Sequence, residues 1–244
     1  MPRFFIEVSY KGTHYSGFQV QENAITVQEE IERAFAVIHR KAVVLTGSSR
    51  TDAGVHSLQN FFHFDTEEIH GQFVYKLNAV LPVDIAIRQV WQMPDIAHSR
   101  FDAISRQYEY HVHRFKDPFA EGLSFYYPYK LDVGLMKDAA AYILEQEYFA
   151  AFSKTNTQVK NFRCKILKSE WKEEGERLVY TIEGNRFLRG MVRQLTAVLL
   201  KMGRGKLEME QFKSYFENEE KCGISVPAQG LFLVSVKYPA NYFP

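Results

Sequence analysis

Thr26-Val27-Gln28-Glu29-Glu30-Ile31-Glu32-Arg33-Ala34-Phe35-Ala36-Val37-Ile38-His39 is the stretch from which the fold is read. Val27, Ile31, Ala34, Phe35 and Ile38 recur at helical spacing, and Thr26 can cap the helix with Glu29 at the third position. Arg3–Tyr10 precedes this helix as a strand, and strands at Ala42–Thr46 and Gln59–Phe64 follow it. A helix over roughly Gly71–Val80, stopped by Pro82, and a strand at Asp84–Trp91 complete a first set. The second half repeats the order. Ile104–His113 reads as a strand, and Asp132–Glu145 as a helix with Leu135, Ala139, Tyr142 and Ile143 on one face. Phe162–Lys172 and Arg177–Glu183 form a hairpin around Glu173-Glu174-Gly175. Phe187–Met202 is a helix with Leu188, Val192, Leu195 and Leu199 as its stripe, followed by a helix at Glu208–Asn218 and a strand at Gly230–Tyr238. The order βαββαβ, twice, is that of the ferredoxin-like unit. The expectation is an α+β protein of two such halves, residues 1–96 and 97–244, with antiparallel sheets and a central ligand cleft.

Composition narrows the class. The 244 residues are 46% hydrophobic, with 20 Phe and 14 Tyr, which is ample for a buried core. Two cysteines, Cys164 and Cys222, make neither a disulfide framework nor a zinc cluster, which fits a reducing compartment. Met1-Pro2-Arg3-Phe4-Phe5-Ile6-Glu7 reaches a charge too early for a signal peptide, and no run of about 18 apolar residues occurs. These features predict a soluble, cytoplasmic protein. Net charge is only +1, yet Arg186, Arg189, Arg193, Lys201, Arg204 and Lys206 follow one another with no acid until Glu208. Such a stripe suits a polyanion or, equally, a solvated helix face.

Gly47-Ser48-Ser49-Arg50-Thr51-Asp52-Ala53-Gly54-Val55-His56 sets a carboxylate beside a guanidinium in a small-residue turn between apolar segments. Loops on a rigid sheet are where functional side chains concentrate. Taken alone, the turn also reads as an Asx-turn in which Asp52 bonds its own backbone. Helical spacing predicts that Arg186, Arg189 and Arg193 share a face, with Gly190 costing about 1 kcal/mol inside the helix. Those arginines could bind phosphates, or one could hold a buried carboxylate ionised. In the strand Arg106-Gln107-Tyr108-Glu109-Tyr110, Tyr108 is a core tyrosine or a ring for stacking a base. His111 and His113 have metal-ligand spacing without a partner cluster, so a structural role is expected.

Tyr10-x-Gly12-Thr13-x-Tyr15-x-Gly17-Phe18-Gln19-x-Gln21, Arg50-Thr51-Asp52-Ala53-Gly54-Val55-His56 and Leu77-Asn78-Ala79-x-Leu81-Pro82 resemble the tRNA pseudouridine synthase A (TruA) family. Arg100-Phe101-x-Ala103, Arg106-x-Tyr108-x-Tyr110, Asn185-x-Phe187-Leu188, Met191-Val192-Arg193 and Pro227-Ala228-x-Gly230-Leu231 continue the resemblance, in order, along nearly the whole chain. Lys11, Ser49, Ser57 and Arg189-Gly190 depart from the usual pattern, and none is a residue assigned to the bond exchange.

The resemblance implies an isomerase that turns uridine into pseudouridine in the tRNA anticodon stem-loop, at family sites 38, 39 and 40. It implies that Asp52 attacks the flipped uridine, Tyr108 stacks on its base, Arg193 pairs with Asp52, and Arg50 holds the displaced nucleotide. Leu231 falls at an apolar position near the base, and Arg186, Arg189 and Arg204 are candidates for the RNA backbone. It further implies a homodimer, with no cofactor and no metal. Unstacking a base costs a few kcal/mol, of which aromatic stacking returns roughly 1–3 kcal/mol. The competing readings are a non-catalytic RNA-binding protein, a synthase acting on another RNA, and a glycoside-type hydrolase, which would need a second carboxylate facing Asp52.

Overall fold

A computed structural model describes residues 1–69, 71–155, 159–218 and 220–244. They divide into two units, residues 1–104 with 232–244, and residues 105–231. The sequence order places a boundary at 96/97, whereas these units divide at 104/105 and the last residues group with the first unit.

In the first unit, strand β1 (Arg3–Tyr10) lies between β3 (His56–Asp65) and β4 (Ile85–Met93), antiparallel to both. Ile6 stands opposite Phe62 on one side and Val90 on the other. Alternation sends Phe4, Ile6, Val8 and Tyr10 to one face, where helices α1 (Val27–His39) and α2 (Phe73–Val80) bury them against Ile31, Phe35, Phe73 and Leu77. Helix α1 starts where its cap predicts: Thr26 Oγ1 accepts the Glu29 N–H at 3.3 Å. On the opposite face Phe5, Met93 and Ala97 are covered by Trp91, Tyr238, Tyr242 and Phe243. Most of the last strand, β9 (Leu231–Lys237), also belongs here: Phe232 and Leu233 pair in parallel with His56 and Ser57.

The strand expected at Ala42–Thr46 is reduced to β2 (Thr46–Gly47). Side chains of α1 occupy the backbone that a neighbouring strand would need. Glu32 Oε1 accepts the Leu45 N–H at 2.9 Å, and Gln28 Nε2 donates to the Leu45 carbonyl at 2.9 Å. In contrast, β3 begins at His56 and so extends further than the expected Gln59–Phe64.

In the second unit, β5 (Ser105–His113), β8 (Arg177–Gly184) and β7 (Ile166–Glu174) form an antiparallel set in that order. The two-residue β6 (Phe125–Tyr126) adds to β5 in parallel. The purely antiparallel expectation is therefore corrected, since β3–β9 and β5–β6 are parallel pairs. The expected start of β7 at Phe162 also moves. The Phe162 carbonyl accepts from Phe149 N–H and Cys164 N–H donates to the Glu147 carbonyl, so this segment is engaged elsewhere. Helix α3 (Val133–Ile143) is capped by Asp132, which accepts the Leu135 N–H at 2.9 Å. Helices α4 (Met191–Gly203) and α5 (Met209–Glu217) follow.

Helix α4 starts four residues later than its apolar stripe suggests. Gly190 is its N-cap, with φ +75°, a left-handed conformation that only glycine adopts at little cost. The fold is α+β with mixed parallel and antiparallel pairing. No helix among the described residues is long and apolar enough to cross a membrane.

Candidate active site

The turn carrying Asp52 joins β2 to β3 and is clamped from both sides. On one side, Asn60 lies fully buried in β3. Its Oδ1 accepts from Ser48 Oγ at 2.7 Å and its Nδ2 donates to the Ser49 carbonyl at 3.0 Å. On the other side, the segment after β1 meets the turn. Tyr10 Oη and Thr51 Oγ1 share a hydrogen bond of 2.8 Å, Phe18 N–H donates to the Thr51 carbonyl, and Gly54 N–H to the Tyr15 carbonyl. Burial pushes the Tyr10 phenol up to about 12, so it stays neutral despite its bonds to Thr51 and Asn60.

Within the turn, Val55 N–H closes on the Asp52 carbonyl at 3.1 Å; Asp52 is half-buried and Arg50 exposed. His56 Nδ1 accepts the Gly12 N–H at 3.0 Å, which puts the neutral ring's proton on Nε2. A Cβ on Gly12 would lie 2.0 Å from the Val55 carbonyl oxygen, so the two backbones approach as only glycine allows. Asn60 was missed by the sequence reading. Its signal was available, since an amide at the head of the strand run Phe61-Phe62-His63-Phe64 is out of place unless it bonds something.

Next to this turn, His63 Nδ1 accepts the Ser99 N–H at 3.2 Å, and Ser99 Oγ donates to the Thr46 carbonyl at 2.8 Å. Burial first, then the positive fields of Arg3 and His98, push the His63 imidazole down to about 4.

The other expected residues lie in the second unit. Tyr108 is buried in β5, its ring edge-on to Phe187 with centroids 5.2 Å apart. Neighbouring Arg106 donates to the Asn185 carbonyl at 3.0 Å. Arg193 sits half-buried in the first turn of α4, and its Nε donates to the Val226 carbonyl at 2.8 Å. The Val226 N–H returns a bond to the Arg193 carbonyl at 3.3 Å. This reciprocal pair orients the guanidinium, a role for Val226 that periodicity could not reveal. Leu231 is buried at the start of β9. Arg186 and Arg189 are exposed and precede α4, so the helical face expected to join them to Arg193 does not exist. For the same reason Gly190 carries no helix-interior penalty. Arg204 ends α4, its guanidinium carbon 3.7 Å from the centre of the Tyr129 ring.

His111 Nε2 lies 3.1 Å from Glu109 Oε2, and the His113 ring stacks on Tyr126. Among the described residues no group of three or more His, Cys, Asp or Glu is placed to hold a metal ion. Cys164 and Cys222 are unpaired with each other and buried.

A family model described as tRNA pseudouridine synthase matches residues 6–102 and 139–239. The tRNA pseudouridine synthase A of Parabacteroides distasonis is 43% identical over 249 residues, covering 100% of this chain and 99% of that protein. That of Bacteroides fragilis is 41% identical, covering 99% and 98%. That of Staphylococcus aureus (strain Newman) is 34% identical, covering 98% and 92%.

Proposed function

The chain belongs to the tRNA pseudouridine synthase A family and is an isomerase, and from that premise we propose that Asp52 is its nucleophile. Its substrates on this reading are uridines of the tRNA anticodon stem-loop at positions 38, 39 and 40. The supporting observation is the clamp on the Asp52 turn, which fixes the backbone that carries the carboxylate through backbone and buried side-chain bonds on both sides. A positioned nucleophile gains most of its advantage from such pre-organisation.

Asp52 attacks the flipped-out uridine and the C1′–N1 bond breaks. The base turns, a C1′–C5 bond forms, the bond to Asp52 breaks and frees the carboxylate, the C5 proton is lost and N1 gains one. The exchange is redox-neutral and adds no atoms, so the proposal invokes no cofactor. Tyr108 stacks on the target base, and Arg193 pairs with Asp52. Arg50 holds the displaced nucleotide, Leu231 makes apolar contact with the base, and Arg186, Arg189 and Arg204 contact phosphates. The same reading takes each half as ferredoxin-like and the enzyme as a cytoplasmic homodimer.

Nucleotide-resolution mapping of pseudouridine in tRNA tests this. Wild type should introduce pseudouridine in the anticodon arm and Asp52→Asn should introduce none, because an amide of the same shape cannot attack. Near-normal turnover by Asp52→Asn would remove the nucleophile assignment.

A further inference from the structure

On α4, Arg193, Ala197, Leu200, Lys201 and Arg204 recur at i, i+4, i+7, i+8 and i+11, so they lie along one face. Beyond Arg193 this face walls a cavity of about 320 Å³. The segment Ile224–Pro227, Phe125 and Tyr127 complete its lining. Lys201, Arg204 and Lys206 line it as well, and no carboxylate does. Among the described residues none of these three cations is paired with an acid. The Arg204 guanidinium carbon lies 3.7 Å from the centre of the Tyr129 ring, a cation–π contact that leaves the charge without an acid partner.

We propose that this groove is a nucleotide subsite, holding an unpaired nucleotide that flanks the target uridine. Its phosphates lie on Lys201, Arg204 and Lys206, and its base lies against Phe125 and Tyr127.

This rests on the RNA-modifying reading above and extends it to a place and a substrate feature. Three cations without a counter-charge complement a polyanion. Aromatic walls favour an unstacked base, whose face a duplex conceals. The volume suits one small ligand, at the lower end of the roughly 300–1,000 Å³ typical of such sites. Val226 both lines the groove and orients Arg193, so groove and guanidinium share a wall. Lys201 is eight residues from Arg193, about 12 Å along the helix. An acidic polypeptide would satisfy the charges but leave the aromatic lining unused.

The test compares wild type with the triple variant Lys201→Ala/Arg204→Ala/Lys206→Ala and with Tyr127→Ala, using a tRNA transcript. The triple variant should raise Kd and KM at least tenfold while kcat changes less than threefold. Its slope of log Kd against log salt should fall by about 0.7 per cation removed. Tyr127→Ala should raise KM with the salt slope unchanged, and it decides the matter if the triple variant does not fold. Wild-type Kd and salt slope in a folded triple variant, or wild-type KM in folded Tyr127→Ala, would overturn the subsite. So would loss of polyglutamate binding with full tRNA affinity retained. The binding arm does not depend on turnover. Absence of pseudouridine with wild type would therefore count against the proposed function, while an unchanged Kd would count against the groove.

Discussion

Replacing Gly12 by alanine would place a methyl carbon 2.0 Å from the Val55 carbonyl oxygen and 2.7 Å from the Val55 carbonyl carbon. An ordinary carbon–oxygen contact is about 3.3 Å or more. One of the two backbones must therefore retreat by about 1 Å. Neither can do so alone, because the Gly12 N–H is bonded to His56 and the Val55 N–H to the Asp52 carbonyl. The displacement passes to Asp52. A 1 Å misplacement of a reacting group costs about 100-fold in rate, or roughly 2.7 kcal/mol of activation free energy. The overpacking itself should cost about 1–3 kcal/mol of stability. Tritium release from C5-labelled uridine in tRNA reads the rate, because the C5 hydrogen leaves when the new glycosidic bond forms. Expected is a kcat lowered about 100-fold with Kd for tRNA changed much less. Gly71→Ala is the control, since nothing lies within 4 Å of its Cβ position. A folded Gly12→Ala protein with kcat within threefold of wild type would refute the argument that this contact sets Asp52.

Arg193→Leu should lower kcat/KM by about 100- to 1,000-fold, the scale for removing one partner of a charge pair. An unchanged kcat/KM would end the proposed pairing with Asp52. Gly190→Ala forces a side chain into φ +75°; it should destabilise by about 1 kcal/mol, lowering Tm by about 2–4 °C, and an unchanged Tm would contradict the cap. His63 is held neutral with its pKa lowered to about 4, so the unfolded chain binds its proton more readily. Its contribution is full above pH 6.5 and is lost as pH falls towards 4, by at most about 1.4 kcal/mol per pH unit. Urea midpoints between pH 7 and 4.5 should fall more steeply for wild type than for His63→Gln, and equal slopes would exclude this account.

Local chemistry carried the legible part of the fold. β1 matches its expected bounds, and α1 does so because a cap and an apolar stripe agree at Thr26 and Val27. The start of α4 was misplaced because Leu188 continues its stripe while belonging to no helix, and the only start signal was one glycine. The strand expected at Ala42–Thr46 is reduced to its last residue because Gln28 and Glu32, 17 and 13 residues earlier, take the backbone bonds of Leu45. The Asp52 turn stood out by composition, but its clamp did not. Tyr10, Thr51 and Asn60 share one buried network only after the sheet has formed. Likewise, that the last strand pairs with β3 is a long-range fact that no window of sequence contains.

That last pairing has a bearing on biosynthesis. Ser57 Oγ donates to the Leu233 carbonyl across a sequence separation of 176 residues. Chains grow from the N-terminus at about 5–20 residues per second, so β3 waits roughly 10–35 s for its parallel neighbour. Over that interval the turn just ahead of His56 lacks the strand that supports its exit. A nascent chain thus carries Asp52 long before the surrounding frame is complete, and the turn that holds it matures only with the last strand.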